Sequence, residues 1–161
     1  MNKGTIGKAT INIGASPEEL YDLVSDVRRM GEWSPECQRC VWLDGATGPA
    51  VGARFKGSNA HGKARWSTKT KVVAAVPGNE FAFVTSHLGR DMTKWSYRFE
   101  STSSGTTVTE SFEMLADMPW YFVLGDRLLM GVKDRHADLE KNMADTLQRL
   151  KAASERRGTT T

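Results

Sequence analysis

The 161-residue sequence contains only two cysteines, five prolines and three histidines. Two cysteines cannot staple a small disulfide scaffold, so that class is excluded. No apolar run is long: Val72–Val76 is typical and far too short to cross a bilayer. The opening MNKGTIGKAT lacks an apolar core, so no secretory signal is expected and the cytoplasm is the default location. Neither sign of charge dominates, with 22 Lys+Arg against 19 Asp+Glu and a net charge of +3. The basic residues are spread along the chain, so charge does not indicate nucleic-acid binding. There is no G-x-S-x-G, no G-x-G-x-x-G, no P-loop and no His/carboxylate cluster at metal-ligand spacing. No metal and no cofactor are therefore expected. What is present is a 39% hydrophobic, 25% charged composition, that of a globular domain. One domain over residues 1–155 is expected, with a short polar tail at 156–161. At this length about 70% of the unfolded surface can be buried, enough for a core and an internal pocket.

The two cysteines, Cys37 and Cys40, are spaced C-x-x-C. A redox pair of the thioredoxin type should open a helix, but Val41-Trp42-Leu43 reads as a strand. In a regular strand three residues span about 10 Å and the two side chains point to opposite faces, beyond the reach of a disulfide. A zinc site would need two more ligands, and His61, His87 and His136 stand apart in the sequence. Two reduced packing cysteines are the expectation.

Along the chain, Ile11 and Ile13 alternate with Asn12 as in a half-buried strand. Ser16-Pro17-Glu18-Glu19 carries an N-cap, a first-turn proline and a capping-box glutamate, followed by Leu20, Leu23, Val24 and Val27 on one helical face. Asp26 is placed to cap a second short turn that ends near Gly31, before Trp33-Ser34-Pro35 forces an extended exit. The period then changes to that of strands: 38–43, 53–58, 64–75, 80–87, 93–102 and 106–115. The segments between them are rich in Gly, Asn, Asp and Ser, the residues of tight turns. Short connections imply antiparallel neighbours. From Met118 to Ser154 the pattern is helical, with the stripe Leu128, Val132, Leu139, Met143, Leu147, Leu150 and with Gly125 and Gly131 as points of bending or interruption. The predicted fold class is α+β: a curved seven-stranded antiparallel sheet wrapped around a long C-terminal helix, with two short helices between strands 1 and 2. A sheet curled around one helix encloses a cavity unless large side chains fill it.

This order resembles the START-like (SRPBCC) superfamily. The resemblance is carried by Ser25-Asp26-Val27 leading into Glu32-Trp33-Ser34-Pro35, by Val51-Gly52-Ala53-Arg54-Phe55, and by Trp95-Ser96-Tyr97-Arg98-Phe99 before Gly105-Thr106-Thr107-Val108. It covers residues 5–152 and is nearest to the bacterial polyketide cyclase/dehydrase and lipid-transport-like branch. It implies a helix-grip fold enclosing a mostly apolar pocket. Because that superfamily spans cyclases, carriers, receptors and stress proteins, it implies no single activity. The implied partner is a hydrophobic or amphipathic small molecule, lipid or polyketide-like. The alternatives are a polyketide cyclase or dehydratase, and a toxin-like interaction protein of the kind named in some actinobacteria. Monomer and dimer both remain open.

Strand alternation puts Trp95, Tyr97 and Phe99 on one face and groups Glu110 with Phe112. Trp33, Phe55, Trp66, Phe83, Trp95, Tyr97, Glu110, Phe112, Trp120, Tyr121, Val132 and His136 are the candidate ligand-binding residues; the aromatics among them either line a pocket or fill the core. The candidate acid/base groups are Glu110, Tyr97 and His136. A carboxylate between Val108 and Phe112 on an inward face would have its charged form disfavoured, as suits a general acid or base. A register slip of one residue would instead turn Glu110 outward and make Glu113 its mirror candidate. His136 falls near the helix stripe, either as a ligand contact or as a core-edge histidine bonded to backbone. Lys63, Arg65, Lys69 and Lys71 read as a solvated outer sheet face.

Overall fold

The structure, a computed structural model, describes residues 1–158. It contains strand β1 (Ile6–Ile13), helix α1 (Pro17–Ser25), a 3-10 turn (Val27–Glu32), and strands β2 (Cys37–Trp42), β3 (Arg54–His61), β4 (Ala64–Val76), β5 (Glu80–His87), β6 (Arg90–Thr102) and β7 (Gly105–Met114). A short helix α2 (Trp120–Gly125), a π-helical turn (Asp126–Met130) and the long helix α3 (Arg135–Gly158) follow. The seven strands form one antiparallel sheet in the order β1-β7-β6-β5-β4-β3-β2. The fold is thus the helix-grip α+β architecture, with α1 and the 3-10 turn carrying the chain from one sheet edge to the other.

Local chemistry explains the boundaries. Ser16 caps α1 by accepting the Glu19 N–H at 3.2 Å, and Pro17 opens the helix, where its missing N–H costs nothing. Asp26 does not cap the 3-10 turn through its side chain; it pairs with Arg28 at 2.9 Å instead. Past that turn, Ser34 Oγ accepts the Cys37 N–H and steers the chain into β2.

The expected helix from Met118 to Ser154 is interrupted. Gly131 sits in the left-handed region at φ 73°, which glycine adopts without a Cβ penalty, and its N–H bonds back to the Asp126 carbonyl. Asp134 then restarts the helix by accepting the Ala137 N–H at 3.1 Å. The break changes the helical phase. Leu128, assigned to the covering stripe, is 70% exposed, and Val132 lies in the linker, whereas Leu139, Met143, Leu147 and Leu150 of α3 are buried. The helix continues to Gly158, past Arg156 where the tail was expected to begin; residues 159–161 lie outside the described residues.

The core falls into two clusters under the concave face of the sheet. One gathers α1, the 3-10 turn, inner residues of all seven strands, and Leu147 and Leu150 of α3. In it Tyr21 meets Phe81 and Phe99 edge-on, at centroid distances of 6.4 and 6.2 Å. The other packs Phe112 and Met114 of β7 against Leu139 and Met143. The polar outer face of β4 carries Arg65, Lys69 and Lys71, with Lys63 in the turn before it, all exposed.

Candidate functional site

A cavity of about 220 Å³ opens between the two clusters, with walls drawn from both: Phe55, Phe83, Tyr97 and Cys40 from one, Met114, Leu139, Met143 and the flanking Trp95 from the other. It stays open because many inward positions are small or short: Gly57, Thr68, Thr70, Thr85, Thr93 and Thr146. A second hollow of about 400 Å³ adjoins it, sharing Trp66, Thr68, Thr85, Thr93, Met114, Met118 and Arg135, and is roofed by Phe122, Gly125, Asp126, Leu129 and Met130. The adjoining hollow alone reaches the roughly 300–1,000 Å³ of small-molecule sites, and the first cavity falls below it.

Glu110 stands directly opposite Tyr97 across the β6–β7 ladder, and both are buried. The Tyr97 hydroxyl donates to Glu110 Oε1 at 2.7 Å. Oε2 of the same carboxyl is the one buried side-chain oxygen or nitrogen among the described residues with no hydrogen-bond partner. Burial pushes the Glu110 carboxyl up to about 8, only partly opposed by the Tyr97 bond. Burial and then the Glu110 charge hold the Tyr97 phenol well above its ordinary value. At neutral pH Glu110 is therefore mostly a neutral acid, with a proton to offer or a lone pair to fill on Oε2. Glu113 is exposed, so the inward register belongs to Glu110.

A second polar group closes one end of the cavity. Arg135 binds Glu36 through two bonds, Nη1 to Oε1 at 2.6 Å and Nη2 to Oε2 at 3.0 Å, and reaches Asp138 Oδ2 at 2.6 Å. His61 Nδ1 lies 2.9 Å from Glu36 Oε1, and Asn142 donates to the same oxygen at 3.2 Å. Burial raises the Glu36 carboxyl, but the Arg135 bonds and charge outweigh it and the net shift is downward. Glu36, His61 and Asp138 offer ligand-type atoms within 4.8 Å of one another, but the Arg135 guanidinium sits 2.6 Å from both carboxylates and supplies the positive charge there.

The two cysteines depart from expectation. A register shift between Cys37 and Arg39 inserts an extra residue into β2, so both side chains turn inward. Their sulfurs lie 3.3 Å apart as free, buried thiols on the cavity wall. The Cys40 thiol bonded to it holds Cys37 below its ordinary value, and Cys40 is raised correspondingly, with burial adding to the rise. The alternation that placed them on opposite faces fails at the bulge.

Of the residues singled out from the sequence, Phe55, Trp66, Phe83, Trp95, Tyr97 and Glu110 come together around the cavity. The others do not. Trp33 is sealed in the first cluster beneath Arg29, whose guanidinium lies 5.3 Å from the ring centre. Phe112 packs between Trp95 and His136. Trp120 is 76% exposed and Tyr121 44% exposed, both on the outside of α2. Val132 and His136 border a separate cleft beside Lys133. His136 Nε2 lies 3.1 Å from the Ile6 carbonyl, on the helix edge that faces β1 rather than the cavity. The opposite edge supplies Arg135, which flanks the apolar stripe in the sequence, and Asn142 and Thr146, which the stripe did not indicate; their i, i+7, i+11 spacing was the available signal.

The chain belongs to the polyketide cyclase / dehydrase and lipid transport family, whose model matches residues 6–155. No curated protein matches it. It is similar to the Polyketide_cyc-like protein Cgl2372 from Corynebacterium glutamicum, at 32% identity over 99% of this chain and 96% of that one, with a TM-score of 0.64. It is also similar to the di-domain ARO/CYC StfQ from the steffimycin biosynthetic pathway: 16% identity, TM-score 0.73, 96% of this chain against 52% of StfQ. Major latex-like protein 151 from Panax ginseng matches at 16% identity and TM-score 0.68, over 93% of this chain and 98% of that one. The last two likenesses concern the fold alone.

Proposed function

We propose that this chain binds an apolar or amphipathic small molecule, of lipid or polyketide-like chemistry, in the cavity between β2–β7 and α3. The observation that carries the reading is Glu110 Oε2: a buried, unpartnered carboxyl oxygen on the cavity wall. Leaving such an atom unsatisfied costs about 1–3 kcal/mol, which a ligand hydroxyl or carbonyl would recover. The methionines, Phe55, Phe83, Trp66 and Trp95 supply the apolar surroundings for the rest of the molecule. The test is native mass spectrometry of the purified protein, followed by titration with fatty acids and aromatic polyketides while Trp emission is monitored. A carried ligand, or saturable binding that weakens in Glu110→Ala, supports the reading; no binding across the panel overturns it.

A second reading is favoured by the same residue. A carboxylic acid poised near neutral pH inside an apolar cavity is suited to move a proton at a substrate carbonyl or enol, as a cyclase or dehydratase requires. In that case Glu110 is the acid/base, and Tyr97 holds its orientation through the 2.7 Å bond. Turnover of a poly-β-keto chain, lost in Glu110→Gln with binding retained, separates the enzyme from the carrier. No feature of the cavity favours a toxin-like role.

A further inference from the structure

The lid over the larger hollow carries an unusual outer surface. Within 120–128, Trp120, Tyr121, Val123, Leu124 and Leu128 are all exposed, by 38 to 76%. At 100° per residue Trp120, Tyr121 and Leu124 of α2 fall within an arc of about 100°, and Arg127 and Leu128 of the π-helical turn follow, both exposed. The inner side, Phe122, Asp126 and Leu129, roofs the hollow. Hairpin tips flank this segment on both sides. The β3–β4 tip is joined to it by Lys63 N–H donating to the Leu129 carbonyl at 2.9 Å. The β5–β6 tip packs His87 on Phe122 at 4.8 Å and holds Leu88 at φ 49° and 87% exposed, an apolar side chain in a left-handed turn turned out to water.

The charge around this apolar face is mixed, with a positive excess. Lys63 and Arg90 at the hairpin tips, Arg127 on the π-helical turn and Lys133 in the linker after it are exposed, and among the described residues none of them is in an ion pair. Three exposed acids lie nearby and keep their charge while bonded to neutral donors, Asp91 with Ser86, Asp117 with the Lys3 N–H, and Asp134 as the cap of α3, so the border is positive by excess and not by their absence. Asp126 is turned inward.

We infer that this face, α2 with the π-helical turn and the two hairpin tips, docks on a bilayer surface bearing anionic headgroups. Trp and Tyr suit the headgroup level, Leu124 and Leu128 the acyl boundary, and a basic rim meets negative lipid phosphates. A protein partner would be matched by shape; this surface instead offers protruding apolar side chains with a basic border. Because the same segment roofs the hollow, docking would set the cavity against the lipid phase. The inference rests on the surface and stands whether or not the cavity takes a lipid.

The test is co-flotation with vesicles of phosphatidylcholine alone and of phosphatidylcholine with about three parts in ten phosphatidylglycerol. The wild-type chain should float with the anionic vesicles and weakly or not at all with the neutral ones, and high salt should reduce the binding. Trp120→Ser/Leu128→Ser changes only exposed side chains, so its melting temperature should match wild type while binding falls at least tenfold, as expected for about 1.5 kcal/mol or more lost. Arg127→Ser/Lys133→Ser should lose the preference for anionic lipid. Absence of wild-type binding to either vesicle, or undiminished flotation of Trp120→Ser/Leu128→Ser, overturns the inference. So does a wild-type dimer in sedimentation that the same serine variant dissociates, since a second copy would then cover the face.

Discussion

Replacing Glu110 by glutamine isolates the energetics of the buried acid. Glutamine keeps the shape, its Oε1 still accepts the Tyr97 hydroxyl, and its amide nitrogen stands where protonated Oε2 stands. It removes only the ability to ionise. In the folded protein the Glu110 carboxyl is raised to about 8 from an ordinary 4.5. A raised acid is protonated in the native state and ionised in the unfolded chain over that interval, so the unfolded state binds fewer protons and stability falls as pH rises through it. With those two values, ionisation of the unfolded carboxyl costs the wild type about 1 kcal/mol at about pH 5, about 3 at about pH 7 and about 4 at about pH 8. Below the ordinary carboxylate range the cost vanishes. The assay is urea denaturation of both proteins across that range. Taking the difference between them cancels every other titrating group. Glu110→Gln should gain stability relative to wild type by about 2 kcal/mol or more between about pH 5 and about pH 7. A difference that stays flat across those pH values would refute the reasoning, because it would mean that Glu110 ionises in the folded protein as easily as in water.

Three further outcomes are expected. Arg135→Met should cost about 3 kcal/mol in denaturant unfolding at neutral pH, since it strands the buried Glu36 charge; the loss should shrink as pH falls below the carboxylate range, because the stabilisation Arg135 gives the lowered Glu36 exists only while Glu36 is ionised. His136→Leu should shift the melting temperature through loss of its contact with the Ile6 carbonyl and leave ligand affinity unchanged, and a change in affinity alone would return His136 to the cavity. Truncation before Met143 should leave no cooperative transition in calorimetry, because Met143, Leu147 and Leu150, each worth roughly 1.5–3 kcal/mol when buried, together match the stability of a whole domain.

Much of this molecule follows from local sequence pattern. Period-two alternation in Trp95-Ser96-Tyr97-Arg98-Phe99 and Val108-Thr109-Glu110-Ser111-Phe112 puts Tyr97 on the face of Trp95 and Phe99, Glu110 on that of Val108 and Phe112, and Arg98 on the opposite one, and in the fold Tyr97 and Glu110 are buried and Arg98 is exposed. The Ser16 cap and the Leu139, Met143, Leu147, Leu150 stripe are likewise properties of a few consecutive turns. Tertiary structure alone decided the rest. The bulge after Cys37 reverses the parity that keeps two cysteines apart, and it arises in the pairing of β2 with β3, not in β2 itself. Glu36 and Arg135, 99 residues apart, meet because β2 and the start of α3 close the same end of the sheet, and no local period encodes that meeting. Trp120, Tyr121 and Leu128 have the composition of core residues, yet they lie outside because Gly131 breaks the helical phase and leaves their segment as a roof that turns Phe122 and Leu129 toward the hollow. Alternation and helical period say which residues share a face; which face meets the core, and which meets solvent, depends on what the rest of the chain has already covered.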